Sequence, residues 1–242
     1  MLDIIYNIME GEKMRTWKGY NWVDFALVTL GLVAIVVTSI LTVAEWYIVV
    51  NSILACLCVF TQAKGKVVTQ FFGLLWSLFY AYIAVTQDLW GEVILNLGVL
   101  VPMYIYGIIN WMRHKQQDDN VVKIAELSKK ELVILLILCI PVFFGVYFLL
   151  GALNTAQLLV SAMSFTCLVP AMYLLVRRSK YNIFAFLIQD LVYIILWICI
   201  VADGSVNYLS IVVGIVIQLV FDVYAIIEWT KLEKRQKEKG LI

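Results

Sequence analysis

Apolar residues run almost without interruption through eight stretches, at about 23–43, 46–62, 67–86, 91–112, 131–151, 155–176, 181–202 and 206–229, and polar residues collect in the short gaps between them. A hydrocarbon core about 30 Å thick needs about 20 helical residues to cross it, so each stretch predicts one transmembrane helix, with allowance for tilt. A β-barrel would require alternating segments of about ten residues separated by turns, a pattern the sequence lacks. The expected fold class is an all-α integral membrane protein with eight spans. The opening stretch MLDIIYNIMEGEKMRTWKGYN is mixed in charge and lacks a small-residue cleavage site, so it reads as a cytoplasmic tail rather than a secretory signal.

The polar gaps alternate in kind. Lys13, Arg15 and Lys18 precede the first span, Lys64 and Lys66 follow the second, and Arg113, Lys115, Lys123, Lys129 and Lys130 follow the fourth. Arg177, Arg178 and Lys180 follow the sixth, and Lys231, Lys234, Arg235, Lys237 and Lys239 follow the eighth, which accounts for all 18 Lys and Arg. Since basic residues are retained in the cytoplasm during insertion, both termini are expected there. The alternation also checks the span count, because one helix more or fewer would put basic loops on both faces. The longest loop, MRHKQQDDNVVKIAELSKKE, is too short for a catalytic domain and is expected to be a solvated connector. Trp17, Trp22, Trp46, Trp90, Trp111 and Trp229 lie near span ends, where interfacial anchors belong.

A repeat underlies the spans. YIYGIINW (104–111) ends the fourth and DVYAIIEW (222–229) ends the eighth, 118 positions later, and the basic turns AKGK and RRSK and the turns TQD and ADG keep nearly the same spacing. Three spans leave the chain on the opposite face, so a second triplet in the same sense needs one crossing between them. The expected organisation is a tail and extra N-terminal helix (1–44), a first three-helix bundle (45–112), a cytoplasmic loop and linking helix (113–152), a second three-helix bundle (153–230) and a basic tail (231–242). Transporters built on such parallel repeats bind substrate near the midplane, between the repeats.

Composition agrees: 63% of residues are hydrophobic and 14% charged, against about a quarter charged in soluble domains. The net charge of +1 says little, because location rather than sum matters in a membrane. Cys56, Cys58, Cys139, Cys167 and Cys199 all lie in apolar stretches and read as small buried hydrophobes, and His114 sits alone in a basic loop. Neither metal nor cofactor is expected, and nothing points to nucleic acid.

Polar groups at depth change the picture most. Asp190 falls near the middle of the seventh span, where an ionised side chain costs about 2.5–3.5 kcal/mol or more. Ile183, Phe186, Asp190 and Trp197 share one helical stripe. Gln218 and Asp222 share a face of the eighth span, Asn96, Leu100 and Tyr104 a stripe of the fourth, while the third offers Gln70, Ser77, Trp76 and Tyr80. Such groups serve either as hydrogen-bonded packing between helices or as the lining of a central cavity. Buried acids among aromatic faces suit an organic cation or flat heterocycle, or else a proton, and the residue pattern leaves both readings open.

The stretch 63–111, with AKGK, FG, YAYIA, WGEV-x-LN, PM and a terminal Trp in order, resembles the PnuC family of bacterial vitamin transporters, and a weaker match runs on through RRSKYN to IIEW. The resemblance implies two three-helix bundles joined by a linking helix, a SWEET-like arrangement, in the bacterial inner membrane. It implies facilitated diffusion of nicotinamide riboside, trapped afterwards by a cytoplasmic kinase; a homo-oligomer is left open. By position Asn96 matches the family's polar residue on the fourth helix, and Asp190 the acid or amide of the seventh. Asp222 stands where relatives often carry an amide. Ile183 and Phe186 replace a tryptophan pair, Tyr104 replaces a frequent Gln and Trp76 an amide. The expected substrate-binding set is therefore Asn96, Tyr104, Trp76, Tyr80, Ile183, Phe186, Asp190, Trp197, Gln218 and Asp222. With the clasp altered, thiamine, riboflavin or a deoxynucleoside are alternatives, as is proton coupling through the acids. An intramembrane enzyme is not expected, since no H-E-x-x-H, G-x-S-x-G or phosphate-cradling loop occurs.

Overall fold

A computed structural model describes residues 20–116 and 121–242. The N-terminal basic residues Lys13, Arg15 and Lys18, Trp17, and loop positions 117–120 lie outside the described residues. Eight helices there are long and apolar enough to span a membrane. They are α1 (Trp22–Leu41), α2 (Trp46–Ala63), α3 (Val68–Thr86), α4 (Trp90–Arg113), α5 (Lys129–Ala152), α6 (Leu158–Val176), α7 (Asn182–Ala202) and α8 (Leu209–Glu238). Their outward faces carry large exposed hydrophobics such as Phe25, Phe71, Ile105, Phe144, Phe148 and Ile188, which fits a surface facing lipid rather than water.

Two four-helix halves repeat each other. Within each half the second helix packs on the third (α2 on α3, α6 on α7), and the halves meet where α8 lies on α2 and α4 on α6. The two repeat-ending tryptophans make reciprocal bonds: Trp111 Nε1 donates to Leu175 O at 3.0 Å, and Trp229 Nε1 to Gln62 O at 2.9 Å. Each indole thus adds a second hydrogen bond to a carbonyl in the last turn of a facing helix, which also accepts from the turn behind it, Arg178 N to Leu175 O and Gly65 N to Gln62 O. This corrects the expectation of interfacial anchors, because Trp111 and Trp229 are 0% and 1% exposed, whereas Trp22 and Trp46 do lie exposed.

Helices α1 and α5 occupy matching places. Asn21 caps α1 in a reciprocal box with Asp24, and Ser128 caps α5 by accepting from Glu131 N. The first-turn acid then reaches a cation at the end of the next helix. Asp24 Oδ1 meets Lys64 Nζ at 2.8 Å, while Glu131 takes hydrogen bonds from Tyr173 and Arg177. Lys64 is buried, with Glu228 Oε2 at 2.8 Å and Tyr224 Oη at 2.9 Å completing its shell.

The described basic segments gather at one end of the bundle. Val122 N donates to Gly65 O, Ala125 N to Arg178 O and Arg178 Nη1 to Lys123 O, so the long loop crosses from one half to the other. It is not the solvated connector expected: Val122 and Ile124 are buried, and Gln236 clasps them, donating to Val122 O and accepting from Ile124 N. The last helix runs on to Glu238, so 231–238 is helical and carries the residue that holds the loop. Leu232 and Gln236, four residues apart, present one buried face to the loop. Gly65 at φ 60° makes the α2–α3 turn, in a region only glycine enters freely.

Candidate functional site

A cavity opens between the two halves. Its walls come from α2 (Ala55, Cys58, Val59, Gln62), α3 (Trp76), α4 (Tyr104), α6 (Leu168), α7 (Phe186, Gln189, Asp190, Tyr193) and α8 (Gln218, Asp222). The free interior is about 30 Å³, enough for a water molecule or two and too little for a vitamin. Asp190 and Asp222 are 4% and 3% exposed, and the Oδ2 atom of each has no hydrogen-bond partner among the described residues. Two carboxylates from adjacent helices therefore look into one narrow, aromatic-walled space.

Of the expected residues, Trp76, Tyr104, Phe186, Asp190, Gln218 and Asp222 share this lining. Tyr80 lines a smaller neighbouring cavity. Ile183 and Trp197 lie on the Asp190 stripe but seven residues away on either side, about 10 Å along the helix, beyond a cavity only about two turns deep. Ile183 is core, and Trp197 donates through Nε1 to Tyr80 Oη at 3.0 Å. Asn96 also lies outside the lining. Its Nδ2 donates to Glu92 O in its own helix at 2.8 Å, within a π-helical turn at Leu95–Leu100 that breaks the regular stripe connecting it to Tyr104.

The aromatic wall is continuous. Trp76 stacks on Tyr80 at 5.2 Å, Tyr80 on Tyr193 at 5.7 Å, and Trp197 meets Tyr80 edge-on at 6.0 Å. Behind it stands Glu92, 0% exposed, which accepts from Tyr193 Oη at 2.8 Å and from Ser164 Oγ at 2.7 Å. Sequence reasoning missed Glu92, Gln189, Tyr193 and Gln62. A signal existed for Tyr193, three residues after Asp190, and for Glu92, which lies within WGEV; for Gln62 at a helix end none did.

Both ends of the cavity are tied across the halves. At the basic end Gln62 Nε2 donates to Asn182 Oδ1 at 3.1 Å. At the opposite end Thr86 Oγ1 and Gln87 Nε2 lie 3.0 and 3.1 Å from Tyr208 Oη. Among the described residues no group of three or more His, Cys, Asp or Glu is placed to hold a metal ion.

The model of the family described as "Nicotinamide mononucleotide transporter" matches residues 45–231. The chain belongs to that family. Among curated proteins it is 28% identical over 229 residues to "Nicotinamide riboside transporter PnuC" of Neisseria mucosa, covering 93% of this chain and 86% of that one. It is 26% identical over 230 residues to the protein of the same description from Haemophilus influenzae, covering 94% and 96%. The solved structure described as "Crystal structure of the Vitamin B3 transporter PnuC" superposes with a TM-score of 0.80 at 24% identity, over 90% of this chain and 94% of that chain. That similarity establishes the fold. The first helix, α1, precedes the family match, which opens just before α2.

Proposed function

We propose that this chain carries nicotinamide riboside across the bacterial cytoplasmic membrane by facilitated diffusion, holding it near the midplane in the cavity between the two halves. The observation that carries this reading is the pair of unpartnered carboxylate oxygens, Asp190 Oδ2 and Asp222 Oδ2, in one aromatic-walled chamber. Nicotinamide riboside bears a fixed positive charge on a flat ring, and such a ring is drawn both to carboxylates and to aromatic faces. The names of the two PnuC relatives point to the same compound.

The chamber is tied across both ends and too small for its ligand, so transport by this reading has the halves part on one side at a time. Tyr80–Trp197 and the Tyr208 contacts are the ties to release at one end, Gln62–Asn182 and the two tryptophan bonds at the other. The basic loops favour that second end, with both termini, as the cytoplasmic side. There a kinase acting on the arriving riboside keeps the gradient inward without touching the carrier. Each chain encloses its own cavity, so a single copy suffices for the mechanism, whatever its oligomeric state.

Proteoliposomes loaded with buffer test the proposal. Labelled nicotinamide riboside should enter faster than into empty vesicles and stop at equal concentration inside and out. No entry of this compound, with thiamine, riboflavin and deoxynucleosides included for comparison, would remove it. A proton-coupled carrier is the second reading, favoured by the same unpartnered acids; it requires uptake beyond equilibrium when a pH gradient is imposed, and uniport requires none.

A further inference from the structure

Beside the acid-bearing chamber lies a second cavity of about 10 Å³ that shares Trp76, Tyr193 and Gln218 with it. Asn51 and Ser52 of α2 and Gly214 of α8 line its other side. Both polar residues are 2% exposed, and Asn51 Oδ1 and Ser52 Oγ have no hydrogen-bond partner among the described residues. Ser210 Oγ, one turn before Gly214 on α8 and 0% exposed as a residue, is likewise unpartnered. At Gly214 even an added Cβ would come no nearer than 3.9 Å to Ser52, so the glycine keeps this space open.

Two orphaned polar atoms on one small cavity, with a third one turn along α8, call for a partner, since each buried donor or acceptor left unmade is destabilising and most native ones are satisfied. No carboxylate or cationic side chain lines the small cavity. What would satisfy it is neutral and able both to give and to accept hydrogen bonds, as a hydroxyl does. Trp76, common to both cavities, stands where a ligand would pass from the charged end to the neutral one.

We infer that the small cavity is a subsite for the hydroxyl-bearing part of the substrate, with Asn51, Ser52 and Ser210 reading a sugar while Asp190 and Asp222 read the cationic ring. This rests on the transport reading above and extends it to specificity. Three probes separate the two: nicotinamide riboside, N-methylnicotinamide, which keeps the charged ring but has a methyl in place of the sugar, and neutral nicotinamide.

Isothermal titration of the full chain in detergent should rank the riboside above N-methylnicotinamide. Ser52→Ala and Ser210→Ala delete single hydroxyls, and with Asn51→Ala each should weaken the riboside by about 3- to 10-fold, a lost neutral hydrogen bond, while leaving N-methylnicotinamide unchanged. Asp190→Asn should weaken both cations alike, which marks the charged end as separate. Unchanged riboside affinity in the serine variants, or equal losses for both cations, would overturn the subsite and leave a small water-filled void. If neither cation binds the unaltered chain, the transport reading fails by itself. Neutral uridine then decides the subsite: binding that Ser52→Ala weakens sustains it, and no binding overturns it.

Discussion

Replacing Lys64 by methionine removes a positive charge that lies 2.8 Å from both Asp24 Oδ1 and Glu228 Oε2. The two acids fare differently. Glu228 keeps Lys231 at 3.6 Å, whereas Asp24, completely buried, keeps among the described residues the Tyr224 hydroxyl and the Asn21 amide. Breaking a buried pair by deleting one partner costs about 3–5 kcal/mol, because the other charge is left uncompensated. For chains of this size about 1 kcal/mol corresponds to 2–4 °C, so apparent Tm in detergent should fall by roughly 6–20 °C. The surviving hydrogen bonds favour the lower part of that range. Adding Asp24→Asn removes the orphaned charge, and the double variant should recover most of the loss. A shift under about 2 °C for Lys64→Met would show that Lys64 is not the electrostatic tie between α1 and the core. A double variant no better than the single would show the same.

Glu131→Gln at the matching place on α5 breaks a partly exposed pair with Arg177 and should cost under about 1 kcal/mol by the same thermal assay, a contrast with Lys64 that would vanish if both ties were equivalent. Trp111→Phe and Trp229→Phe each delete one indole donor to a helix-end carbonyl that keeps its backbone partner, and should destabilise by similar amounts, about 0.5–1.5 kcal/mol each for the lost bond; a large inequality in their Tm shifts would contradict the reciprocal bonding. Gly73→Ala places a methyl within the Tyr104 ring and should lower both Tm and ligand affinity, with Tyr104→Leu partly restoring Tm in the double variant; no effect of Gly73→Ala would mean that the ring moves freely. Asp190→Asn should weaken a cationic ligand by about 10- to 100-fold, a charge contact screened as at an effective dielectric near 20, and a neutral analogue far less; equal losses would make Asp190 structural.

The spans were legible because hydrocarbon thickness acts on every helix alike. The expected stretches 46–62 and 181–202 differ from Trp46–Ala63 and Asn182–Ala202 by one residue at one end each. The alternation of basic loops was equally legible, and the described ones meet at a single end. What failed were inferences needing a partner's position. Trp111 and Trp229 sit at span ends, where composition alone suggests the interface, yet the facing half offers each a carbonyl. Val122 and Ile124 are two apolar residues in a polar loop, too few to announce burial until Gln236 is seen against them. Asn96 lies outside the cavity lining that its stripe with Tyr104 suggested, because a π-helical turn is invisible to a 3.6-residue count. Asp190 and Asp222, isolated acids in apolar runs, were legible as residues of the cavity lining, while the signal for Glu92 was only its place in WGEV beside a span boundary.

The repeat also explains why the chamber is lopsided. Tyr80 of α3 and Trp197 of α7 meet where the two halves face each other, Trp197 Nε1 donating to Tyr80 Oη. The offset of the two repeat-ending tryptophans, 118, pairs Tyr104 with Asp222. Equivalent places in the two halves thus hold a tyrosine ring, packed against Gly73, on one side and a carboxylate on the other. A symmetric chamber with acids on both sides would bury twice the charge for one cation to neutralise, and the desolvation penalty would grow with no added ligand charge to offset it. Concentrating the acids on α7 and α8, and filling the matching place with the Tyr104 ring, gives a ligand with one charged end a single favoured orientation. The halves can still move as near copies, since the scaffold bonds that relate them, Trp111 to α6 and Trp229 to α2, are unaffected by which side carries the charge.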